Sequence, residues 1–305
     1  MADLKAYIEE ATVNQSGVMI GRKYVGYGHP IYIVAEIGIN HNGSLETALS
    51  LIDIAVEAGC DAVKFQKRSP DICVPTQQKY QRRNTPWGTM TYIDYRHRVE
   101  FGEKEYREID QYCVKNKIPW FASCWDVESV DFMDAFDLPC YKVASACLTD
   151  NAILRCMLSK NKPLLLSTGM SSMEQIHEAV SLLDSDNLLI LHTTSSYLFN
   201  ADEINLRVIN TLRHEFDCPI GYSGHEDGYA STLAAAALGA VLIERHITLD
   251  RCMWGSDHPI SLDPQQLKRM VRDIRIIERA MGNGIKQIYE SEQLASQKLR
   301  NCKAV

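Results

Sequence analysis

The chain has 305 residues, is 46% hydrophobic, and carries a formal net charge of −7 at pH 7. There is ample material for a large core, and without Lys/Arg runs the charge excludes nucleic acid or an anionic membrane as the main partner. No apolar run approaches the ~20 residues that span a bilayer, and Met1-Ala-Asp-Leu-Lys5 lacks a signal peptide's apolar region, so a soluble, cytoplasmic protein is expected. Ten cysteines fall singly, without a CxxC pair; they read as small hydrophobes in a reducing compartment, and no disulfide is assigned.

Residues 1–29 form an N-terminal cap segment, with a short helix near 4–10 and a hairpin-like alternation from Gly17 to Gly28. From Ile31 onward, β-rich apolar runs at 31–37, 62–66, 119–124, 140–144, 163–168, 188–193, 219–223 and 241–246 alternate with helical patterns near 45–58, 103–116, 127–136, 150–159, 173–184, 203–215, 228–238 and 264–281. Eight strands alternating with eight helices predict an α/β fold, a (β/α)8 TIM barrel over 30–282, followed by a C-terminal tail at 283–305. A doubly wound sheet is the alternative, but Asn40-His-Asn-Gly43 is not its glycine-rich phosphate loop. Two stretches, 69–100 and 249–263, read as irregular loops of the kind that cover binding sites. No internal repeat, low-complexity segment or interdomain linker is visible.

In such barrels the site lies at the carboxyl ends of the strands. Those ends carry Glu36, Lys64 and Gln66, Ser123, Lys142 and Ser145, Ser167 and Thr168, Thr193 to Tyr197, Ser223 and His225, and Glu244 with His246. All eight are polar or ionisable, which folding alone does not require. His225 and His246 each follow a short apolar run, with an Ala-rich helix between, so one sheet edge receives both imidazoles. Neutral imidazole is a common ligand for Zn-, Mn- or Fe-type ions. The alternatives are a two-histidine metal site and two unrelated polar strand ends. Lys64 and Lys142 would meet a dianion or carboxylate, or else pair internally with Glu36 or Glu244. Serine hydroxyls at 145, 167, 195 and 223 suit phosphate oxygens. Phosphoenolpyruvate fits this set, with an aldehyde on the metal as its electrophilic partner.

Ala35-Glu-Ile-Gly-Ile-Asn-His-Asn-Gly43, Ala62-Val-Lys-Phe-Gln66, Tyr141-Lys-Val-Ala-Ser145, Leu166-Ser-Thr-Gly-Met170 and Leu242-Ile-Glu-Arg-His246 resemble the sialic acid synthase (N-acetylneuraminate synthase) family, in order and spacing, over residues 17–281. The resemblance implies condensation of phosphoenolpyruvate with an open-chain aldose to a 3-deoxy-2-ketoaldonic acid and phosphate. It implies a divalent cation, typically manganese (Mn2+), on His225 and His246. It places Lys142, Ser145, Ser167, Ser195 and Ser223 on the phosphate, and Lys64 and Ser123 on the carboxylate. Glu36, Gln66, Tyr197 and Asp257 would face the sugar, with Glu36, His225 and His246 as the catalytic groups. A homo-oligomer, dimer or tetramer, is expected.

Departures from the family pattern are informative. Members making N-acetylated acids usually carry a C-terminal antifreeze-like domain whose arginine reaches a neighbouring subunit's site, whereas this chain stops at Val305. Cys147 stands where a glutamate near the sugar is common, Ser195 replaces an asparagine, Leu198 a proline, and Gly224 an aspartate beside the metal histidine. The same reaction class with an altered sugar is therefore expected. Two rivals are a Schiff-base aldolase using Lys142 or Lys64 and a non-catalytic phosphoenolpyruvate- or sugar-binding homologue. His41 and His258 read as polar groups at the mouth or as loop-ordering hydrogen-bonders. Cys124 and Cys147 read as packing or pocket shaping, and Trp125 and Trp254 as pocket cover or core.

Overall fold

The computed structural model describes residues 16–183, 185–195 and 200–300. The helix expected near 4–10, and the positions Tyr197 and Leu198, lie outside them. The expected barrel is observed. Strands β1 (Tyr32–Gly38), β2 (Ala62–Lys67), β3 (Trp120–Cys124), β4 (Tyr141–Val143), β5 (Leu164–Ser167), β6 (Leu188–Thr193), β7 (Ile220–Gly224) and β8 (Leu242–His246) close into one ring. Each pairs in parallel with its sequence neighbours, and β8 pairs with β1.

Helices α1 (Leu45–Ala58), α2 (Glu103–Asn116), α3 (Val127–Met133), α4 (Asn151–Ser159), α5 (Met173–Leu183), α6 (Val208–Glu215), α7 (Ala230–Ala237) and α8 (Pro264–Met281) follow the strands in turn. Their limits have local causes. The α1 start is set by Ser44, whose hydroxyl accepts from the Thr47 amide at 3.2 Å, and its end by Gly59 at φ 82°. The first turn of α8 is fixed by Asp263 and Gln266, which cap each other's backbone, with Pro264 at the first helical position.

Two expectations need correction. The helical pattern at 203–215 is two helices, Ala201–Ile204 and α6, because Asn205 adopts φ 45°, a left-handed conformation that breaks the run. Segment 69–100 is not irregular. It holds single-turn helices at Pro70–Cys73 and Thr76–Lys79, a hairpin of Arg82–Thr85 with Gly88–Thr91, and a helix at Tyr92–Val99. These elements are too short, and the hairpin too polar, to leave a periodic signal.

Inside the ring, side chains two apart share a face. The inward residues run from apolar at the amino ends to polar at the carboxyl ends. Tyr32, Val34, Ala62, Phe121, Cys140, Leu165, Leu189, Leu191 and Leu242 form an inner apolar cluster with Val18, Ile20 and Val25 of the hairpin Gly17–Ile20/Lys23–Gly26, which plugs the amino end. One step further along come Glu36, Lys64, Ser123, Lys142, Ser167, Thr193, Ser223 and Glu244, all buried. The outward faces pack against the helices in a second, larger core. No disulfide joins the nine cysteines among the described residues, and no described helix is long and apolar enough to cross a membrane.

Strand β1 is irregular where it meets the site: the register shifts between Glu36 and Gly38, and Gly38 has φ 56°. A Cβ there would lie 3.1 Å from Gln66 Nε2, 3.1 Å from Glu36 Oε1 and 3.3 Å from His246 Cε1. Gly38→Ala should therefore lower unfolding free energy by about 1–3 kcal/mol in urea denaturation, and unchanged stability would show that the bulge tolerates a side chain.

Candidate active site

Strand register assembles a buried quartet at the carboxyl end. Glu36 on β1 is paired with Lys64 on β2, Ser123 on β3 with Lys142 on β4, and Ser223 on β7 with Glu244 on β8. Lys64 Nζ lies 2.9 Å from Glu36 Oε2 and 3.5 Å from Glu244 Oε1, and Lys142 Nζ lies 3.6 Å from the same Glu244 oxygen. Relative exposures are 1% for Glu36, 3% for each lysine and 5% for Glu244. The internal pairing weighed for the lysines is thus present. Both still line a cavity of about 340 Å³ at the barrel mouth.

Burial pulls Lys142 down to about 8 although Glu244 works the other way. Burial also disfavours the charged form of Lys64, but the Glu244 and Glu36 carboxylates outweigh it and hold that pKa above the ordinary value. Glu36 is raised by burial and by the nearby Glu244 charge, against the pull of Lys64. Glu244 is lowered, since Lys142 and Lys64 overcome the opposing effect of burial. Of the two carboxylates, Glu36 is the one whose pKa is brought up to about 7.

Hydroxyls surround this charge cluster. Lys142 Nζ donates to Ser167 Oγ at 2.7 Å, Ser223 Oγ donates to Glu244 Oε1 at 2.9 Å, and Thr193 Oγ1 donates to Ser167 Oγ at 3.3 Å. Ser123, Ser145 and Ser195 line the same cavity. Gly169, which the sequence reading quoted but gave no role, decides their spacing. Its amide donates to Ser145 Oγ at 3.2 Å, and a Cβ on it would fall 2.8 Å from that oxygen and overlap Ser195 Oγ. The sugar-facing candidates Gln66 and Asp257 also line the cavity, and Gln66 Nε2 donates to Glu36 Oε1 at 3.0 Å.

His246 ends β8 and His225 lies just beyond β7, with ring centroids 5.4 Å apart. Burial favours the neutral form of both rings: it brings His225 down to about 4 and lowers His246 as well. Neutral imidazole is the ligating form. His225 Nδ1 donates to the Thr194 carbonyl at 3.2 Å, while the buried His246 Nδ1 has no hydrogen-bond partner. These features fit a two-nitrogen metal site. Among the described residues no cluster of three or more His, Cys, Asp or Glu side chains could hold a metal, so further ligands would come from water or substrate.

The remaining candidates separate cleanly. His41 is buried, stacks on Phe101 at 3.9 Å and accepts from the Gly43 amide, so it orders its loop. His258 does the same through Thr248 at 2.6 Å. Trp125 lines the cavity, whereas Trp254 packs edge-on against Tyr95 and Trp87. Cys147 lines a neighbouring chamber instead. Gly224 has its own cause: a Cβ would overlap the Glu226 carboxylate and come within 2.7 Å of the Tyr222 ring. Arg68, Arg96 and Ser256 are cavity residues that sequence reasoning missed.

A model of the NeuB family matches residues 51–286. The chain belongs to that family. Human N-acetylneuraminate-9-phosphate synthase is 39% identical, over 91% of this chain and 78% of that protein. The N,N'-diacetyllegionaminic acid synthase of Campylobacter jejuni is 38% identical, over 86% and 80% respectively. Among solved structures, the N-acetylneuraminic acid (sialic acid) synthetase of Leptospira borgpetersenii, determined with citrate, superposes with a TM-score of 0.83 at 30% identity, covering 95% of this chain and 99% of that one.

In this NeuB-family chain, Glu244 is the carboxylate that both lysines share. Glu244→Gln should cost about 3–5 kcal/mol, because it leaves Lys142 buried without its counter-ion. In urea denaturation the added change Lys142→Met should recover part of that loss, and a fully stable single variant would show that the pair contributes little.

Proposed function

We propose that the chain condenses phosphoenolpyruvate with an open-chain aldose to give a 3-deoxy-2-ketoaldonic acid and phosphate, with manganese as the cofactor. The observation that carries this reading is the buried Glu36, Lys64, Lys142 and Glu244 quartet. It opens, with a set of serine hydroxyls, into the cavity that also receives His225 and His246. The names of the human and Campylobacter relatives, both synthases of sugar acids, support the same class.

In the reaction, carbon 3 of phosphoenolpyruvate forms a bond to the aldehyde carbon, a water oxygen adds at carbon 2, and phosphate leaves with its bridging oxygen. Lys142 with Ser145, Ser167, Ser195 and Ser223 holds the phosphate, while Lys64 and Ser123 hold the carboxylate. Gln66, Asp257 and Tyr197 orient the aldose. Glu36, whose pKa burial raises to about 7, is the group that gives a proton to the aldehyde oxygen as it becomes a hydroxyl. A divalent cation on His225 and His246 would polarise that carbonyl.

The direct test is phosphate release from phosphoenolpyruvate with manganese over a panel of aldoses, N-acetylated and not, free and phosphorylated. EDTA should stop release, and His225→Ala or His246→Ala should reduce it to background with the fold intact. Turnover that survives both treatments would remove the metal. Lys142→Ala should raise the KM for phosphoenolpyruvate by roughly 10- to 100-fold, the effect of losing a charged hydrogen bond.

One observation favours a second reading. An amine brought down to about 8 by burial suits Lys142 as a Schiff-base nucleophile. The two readings predict opposite pH slopes. If Lys142 binds phosphate as an ammonium, kcat/KM for phosphoenolpyruvate falls as pH rises through about 8 and the charge is lost; a nucleophilic amine makes activity rise there and is trapped by borohydride.

A further inference from the structure

Outside the quartet, the most enclosed ion pair among the described residues joins Arg245 to Glu226, whose side chains are 0% and 1% exposed. Arg245 Nη1 reaches Glu226 Oε1 at 3.0 Å, the Gly228 carbonyl at 2.7 Å and, on α7, Thr232 Oγ1 at 2.7 Å. Its Nη2 donates to the Glu226 backbone carbonyl at 2.7 Å. The Thr232 and Tyr222 hydroxyls complete the carboxylate's shell, donating at 2.6 and 2.9 Å.

Stability alone does not call for such a pair. Apolar side chains of similar volume often do as well in a core, and Arg245 Nε is buried without a partner, a further cost. Position does call for it. The ladder between β7 and β8 ends at Gly224 and Arg245, so His225 and Glu226 lie beyond the last register pair. His246, by contrast, is still paired across to Glu36, and its carbonyl accepts from the Leu262 amide at 2.8 Å. The Arg245 guanidinium takes over where the ladder stops, gripping residue 226 by carbonyl and carboxylate together. An apolar contact has no direction, whereas a planar fork fixes distance and orientation at once. The His225 ring then has one tether of its own, from Nδ1 to the Thr194 carbonyl.

We infer that Glu226 and Arg245 are positioning residues that set the spacing of the His225 and His246 rings, and through it the affinity of the site for a divalent cation. The inference rests on the metal reading of the two histidines. Neither residue lines the cavity, so the pair acts through the histidines and touches no substrate. The groups assigned to phosphoenolpyruvate do not depend on it in the same way: Ser223 and Glu244 are held opposite each other within the ladder, and Lys142 stands on β4.

The test uses the double variant Glu226→Gln/Arg245→Met, which leaves no buried ion unpaired and keeps an amide to bond Tyr222 and Thr232. Manganese affinity is read from the electron paramagnetic resonance signal of the free ion, without turnover. The metal-free double variant should unfold in urea close to the wild-type midpoint and bind phosphoenolpyruvate in EDTA with unchanged affinity, while its manganese affinity falls roughly 10- to 100-fold. Arg245→Lys, which keeps the charge beside Glu226 but loses the fork, should weaken manganese binding by a smaller factor. Wild-type manganese affinity in the folded double variant overturns the inference. A parallel loss of both affinities marks a general distortion and overturns it too. Should the double variant not fold, Arg245→Lys decides: weaker manganese binding at the wild-type midpoint supports the inference, and equal binding, or loss of the fold here as well, overturns it. A wild type without manganese affinity overturns the metal reading, and the inference with it.

Discussion

Two lysines and two glutamates, almost wholly removed from water, share one end of the barrel, and that constraint organises the site. A lone buried charge is costly, whereas a paired one is tolerable when geometry is good. The partners come from β1, β2, β4 and β8, so no short segment can satisfy the quartet. Only the closed ring, in one register, brings Glu244 within reach of both lysines. A slip of one residue would turn each strand's inward set outward, stranding the charges among the helix-facing residues.

The same ring needs open space beside the charges, and three missing side chains supply it. Gly38 lets β1 bulge beneath Glu36, Gly169 leaves room between the Ser145 and Ser195 hydroxyls, and Gly224 makes way for the Glu226 carboxylate. That carboxylate is bound by Arg245, itself fully enclosed, at 3.0 Å, and Arg245 also holds the Glu226 carbonyl at 2.7 Å. Residue 226 follows His225 and residue 245 precedes His246. This ion pair therefore fixes the backbone of both metal candidates from behind.

Much of this was legible in the sequence because it is periodic or terminal. Buried parallel strands read as apolar runs, their last polar residues mark the site, and Ser44 or Asp263 marks a helix start. The quartet's pairing was foreseen only as an alternative for each lysine. A sequence gives the residue types but not the cross-strand register that lets one Glu244 oxygen face two ammoniums. Gly169 was hidden for the same reason: its value lies in contacts with hydroxyls 24 and 26 residues away. Arg68 and Arg96 sit in segment 69–100 or at its edge, where elements of four to eight residues leave no periodic pattern to reason from.

These differences in legibility follow a division of labour. The charged quartet and its hydroxyls stand on strand ends of the ring, where burial and register leave little freedom. The outer chamber, next to the cavity, is lined from loop-borne elements after β2 and the turn before α4, built on short helices and a polar hairpin. Loops tolerate change that strand ends do not. Cys147 lies in the outer chamber that Arg68 and Arg96 also line, away from the quartet. Its departure from the family pattern thus falls in the turn before α4, outside the charged quartet and its cross-strand register.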